Sequence, residues 1–179
     1  ISEYISKLNV EIPPEEEFKK IAQIFKIYPN ESKENALVNY ERGMLLYGLI
    51  SKYKPKTILE IGRAQGYSTM CMAWALCENK IDGKIISVDP LSYENSIEWL
   101  IDWDGKIKTE KKSTKQIWSK YAKSDWLEKI IPLTCFSDEL LEKEDLPKFD
   151  FGFIDGHHLY EAVLCDFNIF LKNSNKKFH

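Results

Sequence analysis

The feature that most constrains the fold is a strand, a glycine loop and a helix in direct succession over residues 56–74, KTILEIGRAQGYSTMCMAW. Its first part is a β-branched, apolar run of strand length, and its last part has apolar residues at helical spacing. Between them lie Gly62 and Gly66, which allow the backbone to approach a ligand closely. Ser68 stands near the predicted helix start. The pattern predicts a nucleotide- or nucleoside-binding loop, with ordinary strand-to-helix packing as the alternative.

Two carboxylates beside this loop favour the binding interpretation. Glu60 stands just before the first glycine, and Asp89 ends a second predicted strand, IISVD, roughly 20 residues beyond the loop. In doubly wound folds a carboxylate at that second position binds ribose hydroxyls. We therefore predict that Asp89 binds a ribose next to the glycine loop.

Three motifs in order, ILEIGRAQGYSTM, ISVDP and FDFGFIDGHHLYEAVLCDF, resemble those of class I S-adenosylmethionine-dependent methyltransferases. The last motif is similar to a branch with Asp-Gly-x-His-x-Tyr-Glu after strand four, which includes sugar O-methyltransferases of the macrolide-tailoring kind. The resemblance extends over about residues 35–171. It implies an α/β fold with a Rossmann-like doubly wound parallel sheet, and S-adenosyl-L-methionine as the cofactor.

The resemblance also implies roles for particular residues. A hydroxyl of a sugar or another small molecule is the expected methyl acceptor, and the catalytic candidates are His158 as general base and Asp155. Asp155 is also a possible Mg²⁺ ligand, because family members often hold that ion with the carboxylate after strand four. The predicted cofactor-binding residues are Glu60, Gly62, Ala64, Gly66, Tyr67, Ser68, Asp89, Phe136, Ser137 and Asp155.

The expected chemistry is an in-line transfer in which the protein aligns the reactants and removes the hydroxyl proton. Imidazole side chains titrate near neutral pH and suit that task. For His158 the alternative is helix capping or a structural hydrogen bond. Two other functions stay open. One is a catalytically silent adenosyl-binding module. The other is a nicotinamide-dependent oxidoreductase, but Ala64 occupies the position of the second glycine of Gly-x-Gly-x-x-Gly, which argues against it.

The turn after the third predicted strand, residues 130–134, departs from the family pattern. In the family this turn lies beside the adenine ring and often carries an acidic residue at the position of Phe136. The usual hydrogen-bond partner of the adenine amine is therefore missing at this position. Phe136 offers an aromatic edge or face instead, with Ser137 as the polar contact.

Elements on either side of these motifs complete the predicted organisation. Helical patterns predict an N-terminal extension or cap over residues 1–54, with a helix over 33–53, and a methyltransferase core over 55–179. Tyr40, Glu41 and Tyr47 are candidates for lining an acceptor pocket, with packing or solvation of the helix as the alternative.

The region after Asp89 is predicted to form an aromatic-rich excursion, with lysines 106, 108, 111 and 112 on a solvated loop, followed by a helix over residues 114–130. A last helix over 158–171 is predicted to turn Tyr160, Val163, Leu164, Phe167 and Phe170 toward the sheet.

The sequence supplies strands in the order 3-2-1-4 of a family sheet that is ordered 3-2-1-4-5-7-6. The fourth strand, over residues 149–155, would then have a free apolar edge. Either the chain is a fragment of a longer protein, which we favour, or a partner or rearranged segment covers that edge. A homo-oligomer is possible on this ground.

Composition excludes several partners. The net charge of −3 and a pI near 5.7 give no electrostatic footprint for nucleic acid. No apolar run has the length of a membrane span. Cys71, Cys77, Cys135 and Cys165 lack metal-ligand spacing, so free thiols in a reducing cytoplasm are expected.

Overall fold

The computed structural model describes residues 2–25, 40–103, 106–142 and 145–179. The helices are α1 (Ser2–Lys7), α2 (Glu15–Phe25), α3 (Tyr40–Tyr53), α4 (Tyr67–Glu78), α5 (Thr114–Tyr121), α6 (Ser124–Leu127) and α7 (Tyr160–Lys172), with a 3₁₀ helix at Asp138–Glu142. The strands are β1 (Thr57–Ile61), β2 (Lys84–Asp89), β3 (Ser96–Trp103), β4 (Lys106–Ser113), β5 (Ile130–Thr134) and β6 (Phe151–Ile154). The first part of the helix predicted over residues 33–53 lies outside the described residues.

Four parallel strands form the main sheet in the order β5-β2-β1-β6. This is the predicted order 3-2-1-4, so the α/β, Rossmann-like prediction is confirmed. Pro132 pairs with Ser87 and lies on β5, at the edge of this sheet. An edge strand tolerates proline because the missing N–H costs no ladder hydrogen bond on the open side.

The sheet is covered on both faces because its strands are apolar on both faces. Ile58 of β1 belongs to a large cluster with α2 to α6, and Leu59 belongs to a smaller cluster with α7. In the larger cluster the rings of Phe18, Tyr47 and Trp74 lie 5.0 to 5.8 Å apart. The helices before β1 therefore share a core with α4, and the domain boundary at residue 54 stays a prediction.

The excursion after β2 is a β-hairpin, so the lysine-bearing segment is a strand and the predicted loop was wrong. Strands β3 and β4 pair antiparallel over their whole length. Trp99 and Ile101 are fully buried against the core, whereas Leu100 between them is 42% exposed. Buried and exposed residues thus alternate as in a strand, but the apolar Leu100 on the exposed face obscures this pattern in the sequence. The described lysine side chains of β4 lie toward solvent, exposed or half-buried.

The single helix predicted over residues 114–130 is interrupted. A capping box at Ser113 and Gln116 starts α5, and the extended backbone of Ala122 and Lys123 separates α5 from α6. The break lets Trp126 stack on Trp74 of α4, with ring centroids 5.7 Å apart.

Helix α7 presents a different face to the sheet than predicted. Ile169 and Phe170 are buried there together with Asp166, at helical spacing. The prediction was right for Phe170 and wrong for four other residues, which are 43% to 74% exposed: Tyr160, Val163, Leu164 and Phe167.

The segment after α7 returns along the edge of β6. Phe149 bridges Ser174, and the N–H of Gly152 donates to the carbonyl of His179 at 2.9 Å. The ring of His179 also stacks on Tyr53, 3.6 Å away. A returning segment thus covers part of the edge that the strand count leaves open. Among the described residues, no helix has the length and apolarity needed to span a bilayer.

Candidate active site

The loop between β1 and α4 has the left-handed backbone that its glycines predict. Gly62, Ala64 and Gly66 have φ values of 91°, 47° and 100°. A Cβ at Gly62 would lie 2.1 Å from the carbonyl oxygen of Asp155. A Cβ at Gly66 would lie 2.4 Å from the indole of Trp118. Protein atoms therefore fill the space next to both glycines.

Gly66→Ala is expected to lower the free energy of unfolding by about 1–3 kcal/mol, because it adds left-handed strain and crowds a buried indole. Urea denaturation followed by circular dichroism would measure the change. Ala64→Gly is the matched control in the same loop, and it should be neutral or slightly stabilising because it relieves a positive φ. Equal midpoints for wild type and Gly66→Ala would contradict the packing described here.

Glu60 lies beneath the loop and not in an open cavity. Its side chain is fully buried and accepts hydrogen bonds from the hydroxyls of Thr69 and Ser87. Burial raises the pKa of the Glu60 carboxyl to about 7, although the two hydroxyls oppose that shift. The geometry gives Glu60 a structural place, joining β1, β2 and α4, and its predicted contact with the cofactor remains a prediction.

Glu60→Gln is expected to reduce the pH dependence of stability. Because the pKa of Glu60 rises from 4.5 to about 7 on folding, the unfolded chain loses this proton first as pH rises. Wild-type stability should therefore fall between about pH 4.5 and 7, by on the order of 2 kcal/mol from this group. Denaturation curves across that range would measure it. A variant with the same pH slope as wild type would contradict the assignment.

Arg63 fixes the loop to the neighbouring strands. Its guanidinium donates to the carbonyls of Ser87 (2.9 Å), Leu133 (3.2 Å) and Leu91 (2.9 Å). Burial lowers the pKa of this guanidinium, and the nearby carboxylates of Asp89 and Glu60 oppose the shift. The side chain thus ties the glycine loop to the carboxyl ends of β2 and β5.

A cavity of about 520 Å³ opens at the carboxyl ends of the four parallel strands. Its volume is within the usual range for small-molecule sites. Six of the ten predicted cofactor-binding residues line it: Gly62, Ala64, Asp89, Phe136, Ser137 and Asp155. This is the crevice where doubly wound folds bind ligands.

Asp89 faces the glycine loop, and its predicted contact with a ribose stays a prediction. Its Oδ2 accepts the N–H of Ala64 at 2.8 Å, and its Oδ1 accepts the N–H of Leu91 at 2.7 Å. A carboxylate has about four accepting positions, so these two bonds leave room for ribose hydroxyls. Asp89 is therefore held in one orientation at the cavity wall.

The other four predicted cofactor-binding residues do not line the cavity. Besides Glu60 and Gly66, they are Tyr67 and Ser68 in the first turn of α4, both buried. The hydroxyl of Tyr67 donates to the carbonyl of Tyr40 at 2.9 Å, and burial raises its pKa. Tyr67 thus connects α4 to the helix before the sheet, and its role toward a cofactor stays a prediction.

The two predicted catalytic residues lie together after β6. His158 Nε2 is 3.4 Å from Asp155 Oδ1, and the imidazole is 81% exposed. Asp155 Oδ2 is 2.6 Å from the guanidinium of Arg42 on α3. The sequence did not single out Arg42, because this contact joins residues that are far apart in the chain.

The surroundings of Asp155 do not fit a Mg²⁺ site within the part of the chain that the structure describes. There, no group of three or more His, Cys, Asp or Glu side chains is arranged to hold a metal ion. The guanidinium of Arg42 already pairs with Asp155 Oδ2, and its positive charge disfavours a cation at that oxygen. The possible metal role of Asp155 therefore has no support from these residues.

Comparison with known proteins agrees with this fold. Residues 59–177 match a family described as a methyltransferase domain. Similar solved structures include the O-methyltransferase TomG from Streptomyces achromogenes in complex with SAM (22% identity, TM-score 0.58), covering 96% of this chain and 66% of TomG. A second similar structure is an O-methyltransferase from Bacillus cereus in complex with SAH (20% identity, TM-score 0.56), covering 97% of this chain and 67% of that protein. A third is SAH-bound PaMTH1 from Podospora anserina (17% identity, TM-score 0.56), covering 96% of this chain and 62% of PaMTH1.

The chain thus spans about two thirds of the length of these three proteins. A search of curated proteins found no match. At these identities the solved structures support the fold, whereas the family match covers most of the sequence, including the glycine loop and the Asp155 turn. The chain therefore belongs to the methyltransferase domain family.

Proposed function

We propose that this protein uses S-adenosyl-L-methionine to methylate a hydroxyl group of a small molecule. The observation that carries the proposal is the position of Asp89, whose carboxylate is fixed at the wall of a ligand-sized cavity beside the glycine loop. Three neighbours support it through their bound molecules, which are SAM in TomG and SAH in the Bacillus cereus protein and in PaMTH1.

The residues that line the cavity fit an adenosyl group. Asp89 offers acceptors for ribose hydroxyls, and Pro90 and Val88 add apolar surface. Phe136 is 63% exposed at the rim and offers a ring on which a base can stack. The close approach of Gly62 to the Asp155 turn keeps the strand ends together around this space.

His158 is the proposed general base. Its Nε2 faces the Asp155 carboxylate. Its Nδ1 is therefore the nitrogen that takes the proton from the hydroxyl group to be methylated. Asp155 orients the imidazole and stabilises the imidazolium, and Arg42 holds Asp155 in place. The bound sulfonium supplies an electrophilic methyl group. With S-adenosyl-L-methionine bound, the methyl group would pass from the sulfonium to the acceptor oxygen, and His158 would hold the proton that this oxygen loses.

The finer predictions from the sequence belong to this proposal. A sugar hydroxyl is the first acceptor class to test, because the Asp-Gly-x-His-x-Tyr-Glu motif resembles that branch. Tyr40 and Glu41 on α3 lie on the helix that carries Arg42, so the extension over residues 1–54 is proposed to shape the acceptor side. A reducing, cytoplasmic setting is proposed from the free cysteines.

Product formation tests the proposal. The protein would be incubated with S-adenosyl-L-methionine and a panel of sugars, phenols and amines, and mass spectrometry would detect the demethylated cofactor and the methylated acceptor. We expect both products in equal amounts with at least one hydroxyl compound. Methylation of amines alone would contradict the hydroxyl assignment. Binding of NAD without binding of either adenosyl compound would contradict the methyltransferase assignment.

A further inference from the structure

Asp166 of α7 is a buried carboxylate at the wall of the same cavity, on the side of β5. It is 3% exposed, and it lies beside Ser137, whose hydroxyl donates to its Oδ1. Among the described residues, Ser137 is its hydrogen-bond partner. An ionised carboxylate has about four accepting positions, so most of its capacity is available to a ligand. A buried charge that has one hydrogen bond favours a further donor.

We propose that Asp166 accepts a hydrogen bond from the exocyclic amine of the cofactor's adenine and so selects adenine over other purines. This inference rests on the proposed function. Phe136 occupies the position after β5 where an acidic residue is expected, so that turn itself lacks the carboxylate. Asp166 brings a carboxylate to the wall of the same cavity from α7, and its hydrogen bond with Ser137 connects α7 to the turn after β5.

The position of Asp166 is fixed by its surroundings. Ile169 and Phe170, one turn further along α7, are buried against the sheet and fix the position of the helix on it. A Cβ at Gly156 would lie 3.3 Å from Asp166 Oδ2, so this oxygen lies close to the turn that follows Asp155. The carboxylate thus lies between Ser137 and the turn at Gly156, at the wall of the cavity.

A base swap in the ligand tests the proposal. S-adenosylhomocysteine has an amine at position six of the purine, whereas S-inosylhomocysteine has a carbonyl there, which a carboxylate repels. Calorimetric titration of the wild-type protein should show that the adenosyl compound binds at least about tenfold more tightly. Equal affinities would overturn the proposal without any mutation. A wild-type protein that binds neither compound would instead overturn the proposed function.

Asp166→Asn sharpens the test, because an amide can donate to the carbonyl of the inosyl compound. We expect affinity for S-adenosylhomocysteine to fall about 10- to 100-fold and affinity for S-inosylhomocysteine to rise. Glu161→Gln removes a charge from the exposed start of the same helix and should change neither affinity. Equal loss of both ligands by Asp166→Asn would show a purely structural role and overturn the proposal.

Discussion

His158→Ala is expected to lower the rate of methyl transfer by about 100- to 10,000-fold, the usual contribution of a positioned general base. Affinity for S-adenosylhomocysteine should stay close to the wild-type value, because the imidazole does not line the cavity at the strand ends. The side chain is 81% exposed, so the variant should fold normally. Single-turnover rates and calorimetric titration of the same preparation separate the two quantities.

Chemical rescue provides the control for His158→Ala. Added imidazole should restore part of the lost rate, and the restored rate should rise with pH as the free base forms. A structural role for His158 would not give that response. Full activity of the variant without imidazole would contradict the general-base assignment and leave Asp155 as the remaining catalytic candidate.

Asp89→Ala is expected to weaken cofactor binding by about 30- to 1,000-fold. The change removes a charge-assisted contact to the ribose and also frees the N–H groups of Ala64 and Leu91, so the glycine loop loses its fixed position. Calorimetry with S-adenosylhomocysteine measures the loss.

Asp82→Ala is the matched control for Asp89→Ala. It removes an exposed carboxylate from the turn before β2, at the other end of that strand, and should leave affinity unchanged. If Asp89→Ala bound the ligand as tightly as this control, Asp89 would not be part of the site.

Much of the sheet and crevice could be predicted from local sequence. Each of the four parallel strands is a short apolar run followed by a turn, and the residues that end them keep their order in any doubly wound fold. Gly62 and Asp89 could therefore be placed side by side from the order of the strands that they follow, and both line the cavity. The packing of Gly66 against Trp118 could not be predicted from local sequence, because the two residues are distant in the chain.

Contacts between distant elements could not be predicted in the same way. Arg42 reaches Asp155 from a helix that precedes the sheet, and Asp166 lies on a helix face that periodicity misassigned. Helix α7 has apolar residues on two faces, an exposed one with Val163, Leu164 and Phe167 and a buried one with Ile169 and Phe170, so hydrophobicity alone did not fix which face packs on the sheet. The hairpin was missed for a related reason, since Leu100 interrupts the alternation of β3.

A crystal structure of the protein with S-adenosylhomocysteine tests the central claim most directly. The adenosyl group should occupy the cavity at the ends of β1, β2, β5 and β6, with a ribose hydroxyl about 2.5–3.0 Å from the Asp89 carboxylate. Electron density for the ligand outside this cavity, or an Asp89 side chain turned away from the ribose, would contradict the account.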